Sequence, residues 1–367
     1  MDERSRSFSV SPRRVITATG KCAALTAALA ITAAGCGGGG SSNAPSEESV
    51  SVEQVANYTG ADREARILAA AKSEGVLNLY TNPTDDITTA IVSAFEEKYP
   101  AVKVKVTQAG SSDLARRIAE EASAGRALVD VIETTPGALG ELKTAGLLQA
   151  YKTPEAANFR EGAVTDFLVT VRESYIGLGY NTDLIDAKDA PKTYDDLLDP
   201  QFRGKISIAT SATGVRWVGA LELTKGEEFI DKLAEQEIRG QDISGRALAD
   251  FVVSGEVPLS TTIYNSHVAV SKEKGAPIAW QPLEPVVALP TALALSSTST
   301  HPNAAMLFVD FALSKAGQII YQATGYNSAR TDMQSSEMSF DTMYIDTRDD
   351  YSEKYPKWEA DMRELTK

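Results

Sequence analysis

The body of the chain repeats one pattern of apolar and polar positions. Short apolar runs at residues 76–80, 102–106 and 128–133 are each followed by a polar loop and then by a segment with apolar residues every three or four positions. The short runs predict strands, and the periodic segments predict amphipathic helices. Three strand, loop and helix units in series predict a parallel sheet covered by helices.

Residues 168–180 form a strand-like run that contains two glycines, and the polar residues Asn181 and Thr182 follow it. Apolar runs at 205–209, 257–264 and 286–295 predict further strands, and periodic segments at 215–223, 304–316, 318–324 and 352–366 predict helices. The predicted fold class is therefore α/β, with a second lobe that begins after about residue 172.

Residues 1–35 have the composition of an export signal. Five basic side chains precede an uncharged run of 13 residues, 22–34, which is too short to cross a bilayer. The run ends in Ala33-Ala34-Gly35-Cys36, which resembles the lipobox of bacterial lipoproteins, although Ala33 stands where that motif usually has leucine. The resemblance implies that Cys36 is acylated and becomes the mature N-terminus. A plain secretory signal is the alternative.

The segment after Cys36 is rich in glycine, serine and acidic residues, which predicts a flexible tether over residues 36–60. The chain is then predicted to form two lobes joined by two crossings. The predicted boundaries are 61–172 and 283–367 for lobe 1 and 173–282 for lobe 2, with hinge crossings near 173–182 and 264–283.

Charge and residue counts exclude several classes of function. The chain has 36 basic and 50 acidic residues, and a net charge of -14 argues against nucleic acid as a partner. Two cysteines and two histidines are too few for a zinc cluster or a disulfide scaffold. Neither His267 nor His301 is accompanied by a recognisable nucleophile elbow, so the sequence favours a binding protein over an enzyme.

Polar residues follow the predicted strands at four equivalent points. In open α/β sheets, ligands bind at the carboxyl ends of strands, where helix N-termini offer unpaired backbone N–H groups. Each polar group alone is explained as a helix cap. Together, drawn from both halves of the chain, they predict a cleft for an anionic or hydroxylated solute. The residues are Thr81, Asn82, Ser111, Ser112, Thr134, Thr135, Ser211, Thr213 and Gly214.

Four further side chains are candidates for the same cleft. Arg216 lies one turn into a predicted helix, where it either pairs with a ligand carboxylate or phosphonate or forms an internal salt bridge. Tyr264 and His267 end an apolar strand, and strand alternation would place them on opposite faces. Glu133, at the end of the third strand, is a candidate metal ligand together with Tyr264, or else a surface residue.

Several segments together resemble the bacterial extracellular solute-binding proteins of ABC importers. They include LNLYTNPTDD at 77–86, AFEEKYPAVKVKV at 94–106, GLGYNT at 177–182, APKTYDDLLDPQFRGKISIA at 190–209 and HPNAAMLFVDFALSKAGQ at 301–318. The resemblance covers about residues 62–330. It implies a two-lobed type II periplasmic-binding-protein fold, with mixed sheets flanked by helices and joined by hinge strands. It also implies a solute trapped between the lobes and delivered to a membrane permease.

The resemblance extends to a group that includes ferric-iron, phosphonate, thiamine and polyamine binders. Ferric-iron binders typically present two adjacent tyrosines after a segment like SGEV, whereas here Tyr264 is followed by Asn265. The ligand therefore stays open between an organic anion, such as a carboxylate or phosphonate, and iron(III) or an iron–anion complex. No cofactor is predicted, and iron enters only as a transported solute.

The resemblance implies a location on the extracytoplasmic side of the membrane, and we expect a lipid-anchored monomer. Two other classes remain as alternatives on the same fold. One is an envelope enzyme, and the other is an interaction lipoprotein without a small ligand.

Overall fold

A computed structural model describes residues 52–82, 85–126, 128–333, 339–348 and 350–367. The predicted signal peptide, the acylated Cys36 and most of the predicted tether lie outside the described residues. The last part of that tether region is folded, because residues 52–57 form a helix in which Ala56 is buried against the hydrophobic core.

The helices and strands occur close to the positions that the hydrophobic pattern predicts. The helices are α1 Val52–Asn57, α2 Arg63–Glu74, α3 Asp85–Lys98, α4 Ser111–Ser123, α5 Pro136–Thr144, α6 Ala212–Lys225, α7 Glu227–Ala234, α8 Gly245–Ser254, α9 Asn265–Glu273, α10 Pro302–Leu313, α11 Lys315–Ala323 and α12 Tyr351–Leu365. The strands are β1 Val76–Thr81, β2 Lys103–Gln108, β3 Val131–Thr134, β4 Leu148–Gln149, β5 Leu168–Asn181, β6 Ile206–Ala209, β7 Arg239–Gln241, β8 Leu259–Tyr264, β9 Ile278–Gln281, β10 Val286–Ser296 and β11 Thr342–Met343.

The strands form one mixed sheet in the order β2-β1-β3-β10-β5-β8-β6-β7. The pairs of β1 with β2 and β3 are parallel, so the parallel arrangement predicted for the first three units is confirmed. β10 runs antiparallel to both β3 and β5, and β5 runs antiparallel to β8. The predicted mixed sheet with flanking helices is therefore present.

The long strand β5 joins two hydrophobic cores. Val169 and Val171 pack in a core with β1, α3 and α10, whereas Ile176 and Leu178 pack in a second core with α6, α7 and β8. We call the region built on β1, β2 and β3 the first half and the region built on β6, β7 and β8 the second half. β5 and β10 connect the two halves, and β10 lies just after the second predicted crossing, 264–283.

Helix α12 belongs to the second half. Trp358, Met362 and Leu365 are buried in the same core as Trp217 of α6. The predicted domain boundaries place residues 283–367 in lobe 1 and stay a prediction. The contacts of α12 favour moving this last helix to lobe 2.

Close packing at the crossing depends on Gly177 of β5. A Cβ atom at this position would lie 2.6 Å from the indole ring of Trp280, so any side chain here would collide with that ring. The indole Nε1 donates a hydrogen bond to the carbonyl oxygen of Ile263 at 3.2 Å. Trp280 therefore packs against β5 and β8 near the crossing. Trp217, on α6, is buried in the core.

Within the described ranges, no single helix is long and apolar enough to cross a membrane. Only α10 and α11 together meet the length and hydropathy requirement, and they are bent by 66° at their junction.

Candidate functional site

A cavity of about 330 Å³ lies where β5 and β10 pass between the two halves. Its lining combines hydroxyl, amide, cationic and aromatic side chains from both halves with one carboxylate from the C-terminal segment. The lining residues are Asn82, Ser111, Thr135, Arg172, Ser174, Arg216, Tyr264, His267, Leu289, Pro290, Thr291, Tyr326 and Asp346. Six of the residues singled out from the sequence are among them: Asn82, Ser111, Thr135, Arg216, Tyr264 and His267.

The first half contributes polar residues from the carboxyl ends of its strands. Asn82 directly follows β1 and donates a hydrogen bond from Nδ2 to Oγ of Ser111, the first residue of α4, at 2.8 Å. Thr135 lies between β3 and α5. Neither Gly110 nor Thr135 makes a side-chain capping bond to the helix it precedes. The N-cap residues of these two helices therefore supply no side-chain acceptor to the first backbone N–H groups.

Three other residues predicted from the first half do not line the cavity. Thr81 and Thr134 are fully buried, and Oγ1 of Thr81 donates to a carboxylate oxygen of Glu133 at 3.1 Å. Ser112 is exposed on α4. Side chains alternate along a strand, so only one of two neighbouring strand-end residues can face the cavity.

Ser211, Thr213 and Gly214 position helix α6 instead of lining the cavity. The Ser211 hydroxyl caps the helix by accepting the backbone N–H of Thr213, and the Thr213 hydroxyl shares a hydrogen bond of 2.7 Å with the Tyr264 hydroxyl. A Cβ atom on Gly214 would lie 2.0 Å from the carbonyl oxygen of Ala209. The glycine therefore lets α6 approach the end of β6 closely.

Tyr264 and His267 lie side by side in the cavity wall. The prediction that strand alternation separates them is wrong, because β8 ends at Tyr264 and α9 begins at Asn265. Residues three apart at a helix N-terminus lie on the same side. The two rings meet edge to face with centroids 5.1 Å apart.

The electrostatic surroundings keep both rings neutral. Burial, with a contribution from the nearby cation of Arg246, lowers the pKa of His267 to about 4. Burial raises the pKa of Tyr264. At neutral pH the cavity therefore presents an uncharged imidazole and an intact phenol, both able to hydrogen-bond a solute.

Arg216 forms the internal salt bridge that is one of the two alternatives drawn from the sequence, and its pairing with a ligand stays a prediction. It lines the cavity from α6, and its Nε donates to both carboxylate oxygens of Asp346, at 2.7 and 2.9 Å. Asp346 belongs to a short 3₁₀ turn, Ile345–Thr347, that follows β11. The sequence offered no signal for Asp346, because it is 130 positions away from its partner.

The second cavity arginine, Arg172 on β5, is paired with Glu133. Its Nε lies 3.3 Å from Oε1 of Glu133, and the carboxylate is fully buried. Burial raises the pKa of Glu133, and Arg172 opposes that effect. Glu133 does not line the cavity, whereas Arg172 does. The guanidinium of Arg172 lies 4.5 Å from the ring centroid of Tyr326.

Sequence reasoning missed seven lining residues: Arg172, Ser174, Leu289, Pro290, Thr291, Tyr326 and Asp346. A signal existed for two of them, because Arg172 and Ser174 are polar residues spaced by two within the apolar strand β5. Pro290 and Thr291 adjoin an irregularity in the β10 pairing, between Thr291 and Ala292. In the part of the chain that the structure describes, no three His, Cys, Asp or Glu side chains cluster as metal ligands would.

A mixed sheet whose two halves meet across a polar cavity defines the two-lobed, type II class of periplasmic binding proteins. The profile of a family described as "Bacterial extracellular solute-binding protein" matches residues 77–327. The chain therefore belongs to the bacterial extracellular solute-binding proteins. Members of this extracytoplasmic family bind small solutes and deliver them to ABC permeases, so the resemblance stated from the sequence is confirmed.

Three relatives illustrate the range of the similarity. An uncharacterized protein of Haemophilus influenzae is 28% identical over 274 residues, which cover 69% of this chain and 77% of that protein. Iron-bound HitA from Pseudomonas aeruginosa has a TM-score of 0.65 at 25% identity, covering 78% of this chain and 99% of HitA. AfuA from Actinobacillus pleuropneumoniae, with fructose-6-phosphate bound, has a TM-score of 0.61 at 22% identity, covering 79% and 99%. AfuA is described as a periplasmic binding protein.

Proposed function

We propose that this protein is the solute receptor of an ABC importer and that its cavity captures a small organic anion carrying hydroxyl groups. The observation that carries the proposal is the lining itself, in which Arg172 and Arg216 are surrounded by hydroxyl and amide side chains. Arginine binds carboxylate and phosphate groups well, because its planar guanidinium offers several donors in a fixed geometry. Hydroxyl and amide groups both donate and accept, as solute hydroxyls do.

The size of the cavity agrees with a small solute. A volume of about 330 Å³ is at the lower end of small-molecule sites. The neutral His267 and the protonated Tyr264 add hydrogen-bonding groups without adding charge. A compact, polar anion meets these conditions better than a polyamine, because cavity arginines repel a polycation.

The proposed mechanism is a shift between open and closed populations. A solute that contacts Ser111 and Thr135 of the first half together with Tyr264 and His267 of the second gains more contacts in the closed form. It therefore favours that form, which the permease would recognise. No chemical step is needed, so we propose a receptor without enzymatic activity.

The N-terminal segment supports a site of action outside the cytoplasm. We propose that residues 1–35 are removed, that Cys36 carries the lipid, and that a monomer is held at the extracytoplasmic face of the membrane. Mass spectrometry of the membrane fraction tests this directly. An acylated peptide beginning at Cys36 is expected, and an unmodified mature N-terminus at another position would contradict it.

Ligand-dependent melting temperature tests the proposed solute class. The full chain is unfolded and refolded to remove bound solute, and then heated with glucose 6-phosphate, gluconate, inorganic phosphate, glucose or spermidine. An organic anion at 100 times its Kd adds about 2.7 kcal/mol to the free energy of unfolding, whereas glucose and spermidine leave the melting temperature unchanged. Arg172→Met should abolish the increase, and Arg203→Met is the matched control, because that exposed arginine pairs with Glu237 away from the cavity.

Iron(III) is a second candidate, because the phenols of Tyr264 and Tyr326 both line the cavity and the similar HitA is iron-bound. Ferric citrate added to the refolded chain would then produce the visible absorption band of an iron–phenolate bond, and Tyr264→Phe would remove it. Binding of ferric citrate, with no binding of iron-free citrate, glucose 6-phosphate or gluconate, would overturn the first proposal. Turnover of a solute, or a cavity that binds none of these solutes, would favour the enzyme or interaction-protein alternatives.

A further inference from the structure

The carboxylate of Asp346 is the one acidic side chain that lines the cavity among the described residues. It is 8% exposed, and its partner Arg216 is 18% exposed, so both groups of this ion pair stay accessible from the cavity. The other carboxylate near an arginine, Glu133, is fully buried behind the lining. The described lining therefore contains one arginine whose counter-charge lies outside the cavity and one whose counter-charge lies inside it.

We propose that Asp346 is a specificity-determining residue, which directs the hydroxylated end of the solute to Arg216 and its anionic group to Arg172. This inference rests on the proposed function. A solute carboxylate or phosphate placed beside Arg216 would also face Asp346, and the like charges would repel each other. An ammonium group placed there would be repelled by Arg216 in the same way. A neutral hydroxyl group avoids both penalties.

The ion pair has the hydrogen-bonding groups that a hydroxyl needs. Each carboxylate oxygen of Asp346 accepts one bond from Arg216 Nε and keeps further lone pairs, and the guanidinium has additional N–H donors. A hydroxyl group both donates and accepts, so it can bind to the pair without breaking it. Arg172 instead has its carboxylate partner on the buried side, so an anion approaching from the cavity does not meet an exposed acidic group.

Calorimetric titration of two variants with two probes tests this assignment. The probes are glucose 6-phosphate, which has both an anionic and a hydroxylated end, and inorganic phosphate, which has only the anion. Asp346→Asn should weaken glucose 6-phosphate binding by about 10- to 100-fold, because a charged acceptor is lost, while phosphate binds unchanged or more tightly. Arg216→Gln should likewise weaken glucose 6-phosphate and leave phosphate unchanged.

The contrary results are distinct. If Asp346 merely neutralises Arg216, Asp346→Asn would tighten both probes equally, and if Arg216 holds the anion, Arg216→Gln would weaken both. Either result overturns the proposal and leaves the receptor function intact. If the unaltered chain binds neither probe, the proposed solute class fails, and this inference fails with it.

Asp350→Asn is the matched control, because Asp350 pairs with Arg348 and lies outside the lining. Asp346→Ser replaces Asp346→Asn if that variant does not fold.

Discussion

The two arginine–carboxylate pairs beside the cavity use the same chemistry in different surroundings. Arg172 and Glu133 are 6% and 0% exposed, and they link β5 to β3 inside the sheet. Arg216 and Asp346 are 18% and 8% exposed, and they link α6 to a turn near the C-terminus. The first pair links two strands and presents only its arginine to the cavity, whereas the second presents both of its charges to the cavity. Burial therefore distinguishes the two carboxylates, because Glu133 is enclosed behind the lining and Asp346 faces the cavity.

The largest expected effect is a loss of stability on breaking the buried pair. Glu133→Gln should lower the free energy of unfolding by about 3–5 kcal/mol, because it leaves the Arg172 cation buried without a counter-charge. Asp346→Asn should cost about 1–2 kcal/mol, because its partner keeps some contact with water. Urea denaturation measures both values, and equal losses would remove the distinction between the pairs.

The neutral imidazole beside these pairs predicts a pH-dependent stability. His267 titrates at about 4 in the folded chain and near 6.5 when unfolded, so the unfolded chain binds more protons between these values. Stability is therefore fully present above pH 6.5 and decreases by up to about 3 kcal/mol as the pH falls to 4. His267→Gln should show a smaller decrease over this window. An identical pH profile for both proteins would show that His267 is not the titrating group.

A smaller loss of stability is expected from a substitution at Gly214, near the start of the helix α6 that carries Arg216. Gly214→Ala places a methyl group against the backbone at Ala209, so α6 must shift, at a cost of about 1–3 kcal/mol. Gly140→Ala in α5 is the control, because its new Cβ would meet no atom within 4 Å. This control should be neutral or more stable by up to about 1 kcal/mol. If both variants melt at the same temperature, the close approach of α6 is unimportant.

The smallest effect concerns the hydrogen bond between Tyr264 and Thr213, near the Arg216–Asp346 pair. Tyr264→Phe removes the bond to Thr213 and should lower the free energy of unfolding by about 1 kcal/mol. Thermal unfolding without ligand measures this value, so it is independent of any solute contact made by the phenol. A loss above about 3 kcal/mol would mean that Tyr264 is chiefly a structural residue.

The sequence predicted the fold well because the fold depends on local signals. The apolar runs that became β1, β2 and β3, and the periodic segments that became their helices, carry their periodicity within a few residues. The strand-end rule also located Asn82, Ser111 and Thr135 at the cavity. The rule does not say which of two adjacent residues faces the cavity, so it also selected Thr81 and Thr134. Their side chains point into the core, because successive side chains of a strand alternate between its two faces.

The charged part of the site was harder to predict because it depends on contacts between distant segments. Arg172 pairs with a residue 39 positions away, and Arg216 with one 130 positions away. Nothing local marks Asp346 as a cavity residue. The wrong prediction that Tyr264 and His267 face opposite sides had a local cause. The N-cap residue of α9 is Tyr264, which makes no side-chain capping bond, so little in the sequence indicates that a helix begins at Asn265.

The position of Asp346 along the chain has a consequence for comparing relatives. The family profile matches residues 77–327 of this chain, so the turn that brings Asp346 into the cavity lies outside the matched region. Two proteins can then share the whole matched region and still differ in this segment of the cavity lining. Family membership therefore indicates the role of solute receptor. The identity of the solute has to be established separately for each protein, with attention to the C-terminal segment.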